Sequence, residues 1–270
     1  ATRNAAWALG FDQRSGTLDP GMSADHFPNV ATALKFQDDG LRASLTLGRQ
    51  PKRLATPIIV VAGDGENIAT AMELSPLKEG MVLSYKGTKR GTSSTLKLTT
   101  KDIVRNGEKV SFKTVSEGKD DGEEPFGFTS HYVLDKGLRM TAVNHGEEGS
   151  TDYTEAYLQL PETLIAGDVI HGASKGRTIW KNEDGSPVEE DYAGGHEIRI
   201  IGKEDIEVPA GNFPGSIRIE VVGEMINGGR FGNEKYIMWY HPKVGMVKFE
   251  YLEEQDSMME LQEVSMPESE

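Results

Sequence analysis

From residue 74 onward the chain alternates apolar and polar residues with a period of two. GMVLSYKG, STLKLTTKDI, EKVSFKTV, GFTSHYVL and GLRMTAV read as strands, separated by Gly, Asn and Asp turns. After a link near Pro161 the same grammar returns in RTIWK, HEIRIIGK, GSIRIEVVGE, KYIMWYHP, GMVKFEYL and SMMELQEV. In GSIRIEVVGE, Ile217, Ile219 and Val221 point to one side while Arg218 and Glu220 point to the other. In GMVKFEYL, Val247, Phe249 and Tyr251 oppose Lys248 and Glu250. Strands with one wet face and one greasy face predict an antiparallel sheet folded over a core.

The turns are equally legible. VLDKGLRM predicts a hairpin whose three-residue loop, Asp135-Lys136-Gly137, places the glycine in the left-handed region. In DIEVPAGNF, Pro209 has no N–H to give a ladder and so stands at a strand end, and Gly211 supplies a permissive turn backbone.

Residues 1–73 differ. They are rich in small residues and turn formers, with weak helical spacing over 24–36 and one alternating stretch, LRASLTL, at 41–47. PIIVV at 57–61 predicts a short buried strand, and ENIATAMEL at 66–74 a helical turn or two.

The later part suggests a duplication. LKEGMVLSYKGT resembles LIAGDVIHGASKGRTIW, STLKLTTKDIVRNGEKVSFKTV resembles HEIRIIGKEDIEVPAGNFPGSIRIEVV, and TSHYVLDKGLRM resembles IMWYHPKVGMVKF. Gly107 then falls on Gly211 and Gly137 on Gly245, with nearly constant offset. The expected fold is mainly β: curved antiparallel sheets, as a half-barrel or a sandwich, built from two similar units at 74–156 and 157–270. An irregular N-terminal segment, 1–73, carries one or two strands.

Composition narrows the function classes. Two hundred and seventy residues can bury a substantial core. The net charge of −14 disfavours nucleic acid as a partner, because an acidic surface repels phosphate backbones. No apolar run approaches the roughly 20 residues needed to cross a bilayer as a helix, and no charged-then-apolar leader is recognisable, so any signal peptide is expected to have been removed. The chain has no cysteine, which excludes disulfides and thiolate chemistry and suits a periplasmic or extracellular setting.

Several motifs fail on context. GASKG matches the nucleophile-elbow pattern around Ser174, but a strand-like segment follows it where that motif needs a helix. VVAGDGENIATAM lacks the third glycine of a dinucleotide loop, and Asp64 would set negative charge against a pyrophosphate. The acidic stretches 117–124 and 182–191 do not place calcium ligands in helix-loop-helix register and read as solvated hairpin tips. Histidines 26, 131, 145, 171, 196 and 241 have no metal-ligand spacing, so no metal or cofactor is expected. The aromatic group Tyr236, Trp239, Tyr240, Phe249 and Tyr251 is the candidate surface for a ligand or partner, the alternative being core packing.

VPAGNFPGSIRIEVV, then WYHPKVGMVKFEY and a closing MELQEV, resembles secreted or lipid-anchored bacterial cell-envelope proteins with a VPAGxF turn and a WYxPxxGxV strand pair. PLKEGMVLSYKGT is similar to their opening strand. The resemblance spans roughly residues 75–265 and implies a curved antiparallel sheet, distantly like the half-barrels that carry lipoproteins in the periplasm. The expected function is that of a non-enzymatic envelope or extracellular protein acting by binding, as an accessory or scaffold subunit among other protein subunits. The alternatives are a carrier of an apolar ligand, lodged between the sheet and residues 1–70, and a glycan-acting hydrolase using paired carboxylates. An arm formed by residues 1–23 could complete a neighbour's sheet.

Overall fold

Among the described residues, the strictly alternating stretches form strands. The computed structural model describes residues 59–63, 65–89, 91–182, 185–227, 230–252 and 257–266. The expectations for 1–23, 24–36 and 41–47 lie outside the described residues. Fifteen strands run through the described chain. The first eight are β1 (Ile59–Val61), β2 (Asn67–Thr70), β3 (Val82–Lys89), β4 (Thr92–Asn106), β5 (Lys109–Asp120), β6 (Phe126–Leu134), β7 (Gly137–Asn144) and β8 (Gly149–Pro161). The others are β9 (Thr163–Ile165), β10 (Val169–Lys181), β11 (Pro187–Val208), β12 (Gly211–Asn227), β13 (Arg230–His241), β14 (Gly245–Tyr251) and β15 (Met258–Ser265).

These strands do not form a half-barrel or a sandwich of two similar units, as the sequence suggested; they close into one barrel. β3 to β7 each pair with the next strand, and so do β10 to β14. Two further antiparallel pairings join the ends: β15 to β3, with Met258 opposite Thr88 and Ser265 opposite Val82, and β8 to β10, with Gly149 opposite Trp180. The result is a ring of 12 strands. Closure has a plain cause, since each half left open would expose unpaired N–H and C=O groups on both its edges. β8 leaves β10 at an irregularity between Lys175 and Gly176, and β1 takes up the remaining edge opposite residues 169–171.

Segment 66–74 departs from its helical expectation. Asn67–Thr70 is the strand β2, paired with β9, and only a single turn follows, closed by the Leu74 N–H on the Thr70 carbonyl at 3.1 Å. Glu73 reaches back to accept from the Thr70 N–H (2.8 Å) and hydroxyl (3.0 Å), which ends the strand locally. The PIIVV stretch does contain a strand, Ile59–Val61, but not the buried one expected: Val60, in its middle, is exposed.

Because neighbouring strands alternate in direction, their turns gather at two ends. One end holds the β3–β4, β5–β6 and β14–β15 connections. The other holds β4–β5, β6–β7, β11–β12 and β13–β14, and is crossed by residues 71–81. That crossing is fastened by the Ala71 N–H on the Glu162 carbonyl (3.1 Å), the Gly80 N–H on Thr100 (2.8 Å) and the Thr100 N–H on Met81 (2.9 Å). The Glu79 carboxylate takes the N–H groups of Asp102 and Ile103, both at 3.0 Å, where β4 bulges.

The main core runs through the barrel interior and includes Ala71, Leu74, Val110, Leu160, Leu164, Ile170, Ile198, Ile219 and Val221. A second cluster joins Val208, Phe213, Trp239, Val244, Val247 and Leu261. It is seated by the VPAG turn: Val208 pairs with Gly211, so Pro209 and Ala210 form a two-residue connection, and the Ala210 N–H donates to the Leu261 carbonyl at 3.0 Å. Outward strand positions include charged residues, as at Lys86, Lys97 and Glu117, beside scattered exposed apolar ones such as Val104 and Ile201.

The DKG hairpin forms as expected. Lys136 and Gly137 have φ of 47° and 107°, and a Cβ on Gly137 would stand 2.6 Å from the Leu160 carbonyl oxygen. Gly137→Ala therefore meets both strain and a clash with fixed backbone. We expect a loss of roughly 1–3 kcal/mol in denaturant unfolding, and an unchanged midpoint would refute the strain.

Candidate functional site

The interior is not filled throughout. A cavity of about 480 Å³ lies against β3 to β6 and β13 to β15. Its walls come from inward positions of successive strands: Leu83 and Tyr85 on β3, Leu96 and Leu98 on β4, Phe112 on β5, Phe128 and Tyr132 on β6, and Tyr236, Met238 and Tyr240 on β13. Leu74, Pro76 and Leu77, from the segment crossing that end of the barrel, make its floor, beside Val244 and Gly245 of the β13–β14 turn. At the other end Phe126 and Tyr251 form the rim, each 39% exposed.

Lys89 also stands at the rim. Its ammonium donates to Asp120 Oδ2 at 2.9 Å and lies 5.7 Å from the centre of the Phe126 ring. The Lys89 side chain is 48% exposed, whereas that of Asp120 is only 5%. The other Asp120 oxygen accepts from the Ser94 hydroxyl at 2.6 Å, so two donors hold this buried carboxylate. Further in, the Tyr85 hydroxyl donates to the Met246 carbonyl at 2.7 Å, and Tyr132 stacks on Phe112 with ring centres 5.1 Å apart. Near the floor, Gln159 Nε2 donates to the Tyr240 hydroxyl, which donates in turn to Met238 Sδ, both at 3.4 Å. The Tyr157 and Tyr236 hydroxyls meet at 3.1 Å. Burial pushes the Tyr85, Tyr132 and Tyr240 phenols up, and they stay protonated across the physiological range.

Of the aromatic residues singled out by sequence, Tyr236, Tyr240, Phe249 and Tyr251 line this cavity. Tyr236, Phe249 and Tyr251 form a ring cluster with centres 4.6 to 6.1 Å apart. Trp239 points the other way. It pairs with Arg218 and Lys248 on the opposite face, its Nε1 donates to Glu204 at 2.9 Å, and both cations approach its ring, at 5.7 and 5.3 Å. The partners of the lining aromatics on the wall, Phe112, Phe126, Phe128, Tyr132 and Gln159, were not singled out. For the aromatics among them the signal was the same alternation in β5 and β6, which marks inward positions without saying that they surround a space; Gln159 falls where the β7–β8 register slips between Leu158 and Leu160.

Ser174 lies mid-strand in β10, completely buried, rather than on a turn before a helix. Its hydroxyl has no hydrogen-bond partner. His196, across the β10–β11 ladder, stacks on Tyr157 with ring centres 4.3 Å apart and an interplanar angle of 25°. Gly172 faces it, and a Cβ there would come within 2.6 Å of the imidazole, so this pairing requires a glycine. Burial lowers the His196 pKa to about 4; the Leu158 backbone offsets part of this, although neither ring nitrogen makes a well-formed hydrogen bond. Among the described residues no three of His, Asp and Glu converge in a way that could hold a metal.

No family model matches this chain, and no curated protein matches it. Two solved structures are similar. One is a candidate exported protein with a YmcC-like fold from Bacteroides fragilis, 13% identical, covering 71% of this chain and 98% of that one, with a TM-score of 0.46. The other is a candidate lipoprotein from Parabacteroides distasonis, 12% identical with the same coverages and a TM-score of 0.45. At these values neither the location nor any activity of those proteins transfers to this chain.

Proposed function

We propose that this chain is an extracytoplasmic protein that works by binding, and that it carries an apolar ligand inside its barrel. The observation that carries the reading is the cavity of about 480 Å³, walled by aliphatic and aromatic side chains and open past Phe126 and Tyr251. Ligand sites commonly fall between about 300 and 1,000 Å³ and are lined in this way, with a few polar groups to orient the occupant. Each methylene moved from water into such a space contributes about 0.8 kcal/mol, so a medium-length chain suffices for firm binding. A subunit whose task is only to scaffold an assembly has no use for an unfilled interior, which lowers packing energy. The described lining of the space belongs to residues 74–77 and 81, to strands β3 to β8 and β13 to β15, and to the connections at their ends. An extracytoplasmic setting is supported by the lack of cysteine and by the envelope resemblance of the VPAGNF and WYHPKVG segments.

Native mass spectrometry of protein purified without detergent tests this directly. A mass excess that organic solvent extracts as lipid is the expected result. A clean chain mass, together with failure of the stripped protein to take up any apolar probe, would overturn it. Leu98→Trp, which puts a large side chain into the wall, should reduce probe uptake at least about tenfold, because the volume the ligand needs is then occupied.

A further inference from the structure

The polar groups of the cavity say what kind of molecule it takes, granted the reading that it is a ligand site. Lys89 is the single charged residue on the described wall. It stands at the rim, and Asp120 already neutralises it at 2.9 Å. Every other polar group on that wall is neutral: Ser, Thr and Tyr hydroxyls and the Gln159 amide. An ionic head group drawn inside would lose its hydration and find no counter-charge.

The floor nevertheless offers directed hydrogen bonding. The Tyr240 hydroxyl, 5% exposed as a residue, spends its proton on the Met238 thioether at 3.4 Å, and a thioether is a weak acceptor. Gln159 Nε2 reaches Tyr240 only at 3.4 Å. Both donors would gain by exchanging these long contacts for a carbonyl or hydroxyl oxygen. Around them the wall is mostly aliphatic and aromatic, with the hydroxyls of Thr100, Thr114 and Ser116 among the apolar side chains of β4 and β5.

We propose that the cavity selects a neutral amphiphile, an apolar chain or ring system bearing a carbonyl or hydroxyl, with that oxygen seated at Tyr240 and Gln159 and the apolar remainder running toward Phe126 and Tyr251. Anionic fatty acids are the class it discriminates against.

The test uses the full chain, stripped of lipid, and four probes of equal length: dodecanol, methyl laurate, laurate at about pH 8, where the acid is ionised, and dodecane. Dodecanol and methyl laurate are expected to bind at least about tenfold tighter than laurate. Tyr240→Phe combined with Gln159→Leu should weaken dodecanol and methyl laurate about fivefold or more while leaving dodecane unchanged, with the thermal midpoint as a check on folding. Laurate binding as tightly as the neutral probes would overturn the inference yet leave the carrier reading standing. So would a folded double variant with wild-type affinity for dodecanol. The wild-type comparison needs no variant and decides the matter if the double variant does not fold. If none of the four probes binds, the carrier reading fails and this inference falls with it.

Discussion

Ile219→Ala should lose about 2–5 kcal/mol of stability, seen as a lower urea midpoint with an unchanged slope. Ile219 is wholly buried. It lies between Ile200 on β11 and Met238 on β13, in register with both, at the centre of the main core. Truncation removes three carbons from a site whose neighbours are held by ladders on both sides, so little collapse can refill the space. A cavity-wall residue such as Leu96 should cost less on the same change, because part of its surface already faces open volume. Ile201, 46% exposed on the next position of β11, should cost no more than about 0.5 kcal/mol. If Ile219→Ala cost no more than Ile201→Ala, the core assignment would be wrong.

Acidification should destabilise the barrel through His196 by about 3 kcal/mol. In the unfolded chain the imidazole titrates near its ordinary value of about 6.5, whereas burial holds the folded value to about 4. Between these limits the unfolded state binds the extra proton and the folded state does not, so stability rises with pH across the interval. The His196 contribution is therefore intact above about pH 6.5, falls progressively below it, and levels off once the folded imidazole also protonates near 4. Carboxylates titrate at the lower end too, so the difference between wild type and His196→Leu isolates the effect. Parallel stability curves for the two proteins between pH 4 and 6.5 would refute it, as would an imidazole NMR signal that titrates near 6.5 in the folded protein.

Local chemistry made the strands and turns legible. The alternation of GSIRIEVVGE placed Ile217, Ile219 and Val221 inward, and the DKG and VPAG segments turned where their glycines and proline require. The closure was not legible, because partners such as Val82 and Ser265 are far apart in the chain and carry no mutual signature. Half-barrel and closed barrel share one alternation pattern and differ only in whether the two outer edges meet. The site was half legible for a related reason. Tyr240 and Trp239 are adjacent aromatics, and an aromatic count groups them, whereas the pleat sends one into the cavity and the other onto Arg218 and Lys248. Gln159 drew no attention as a lone amide between two leucines, and its position gains meaning only because Tyr240, on a different strand, comes within 3.4 Å. ENIATAMEL misled because its helical spacing is too short to nucleate against a strand partner waiting at Thr163–Ile165.

The seam between β15 and β3 sets an order for the making of the protein. β3 must wait without its final neighbour until residues 258–265 have been synthesised or delivered, since among the described residues they are what covers that edge. Until then the growing chain presents an open sheet with an unpaired margin, a template for stray strands. Contacts so distant in sequence also form slowly. A chain of this design therefore stays vulnerable until residues 258–265 arrive, and whatever shields it must do so up to the joining of β15 to β3.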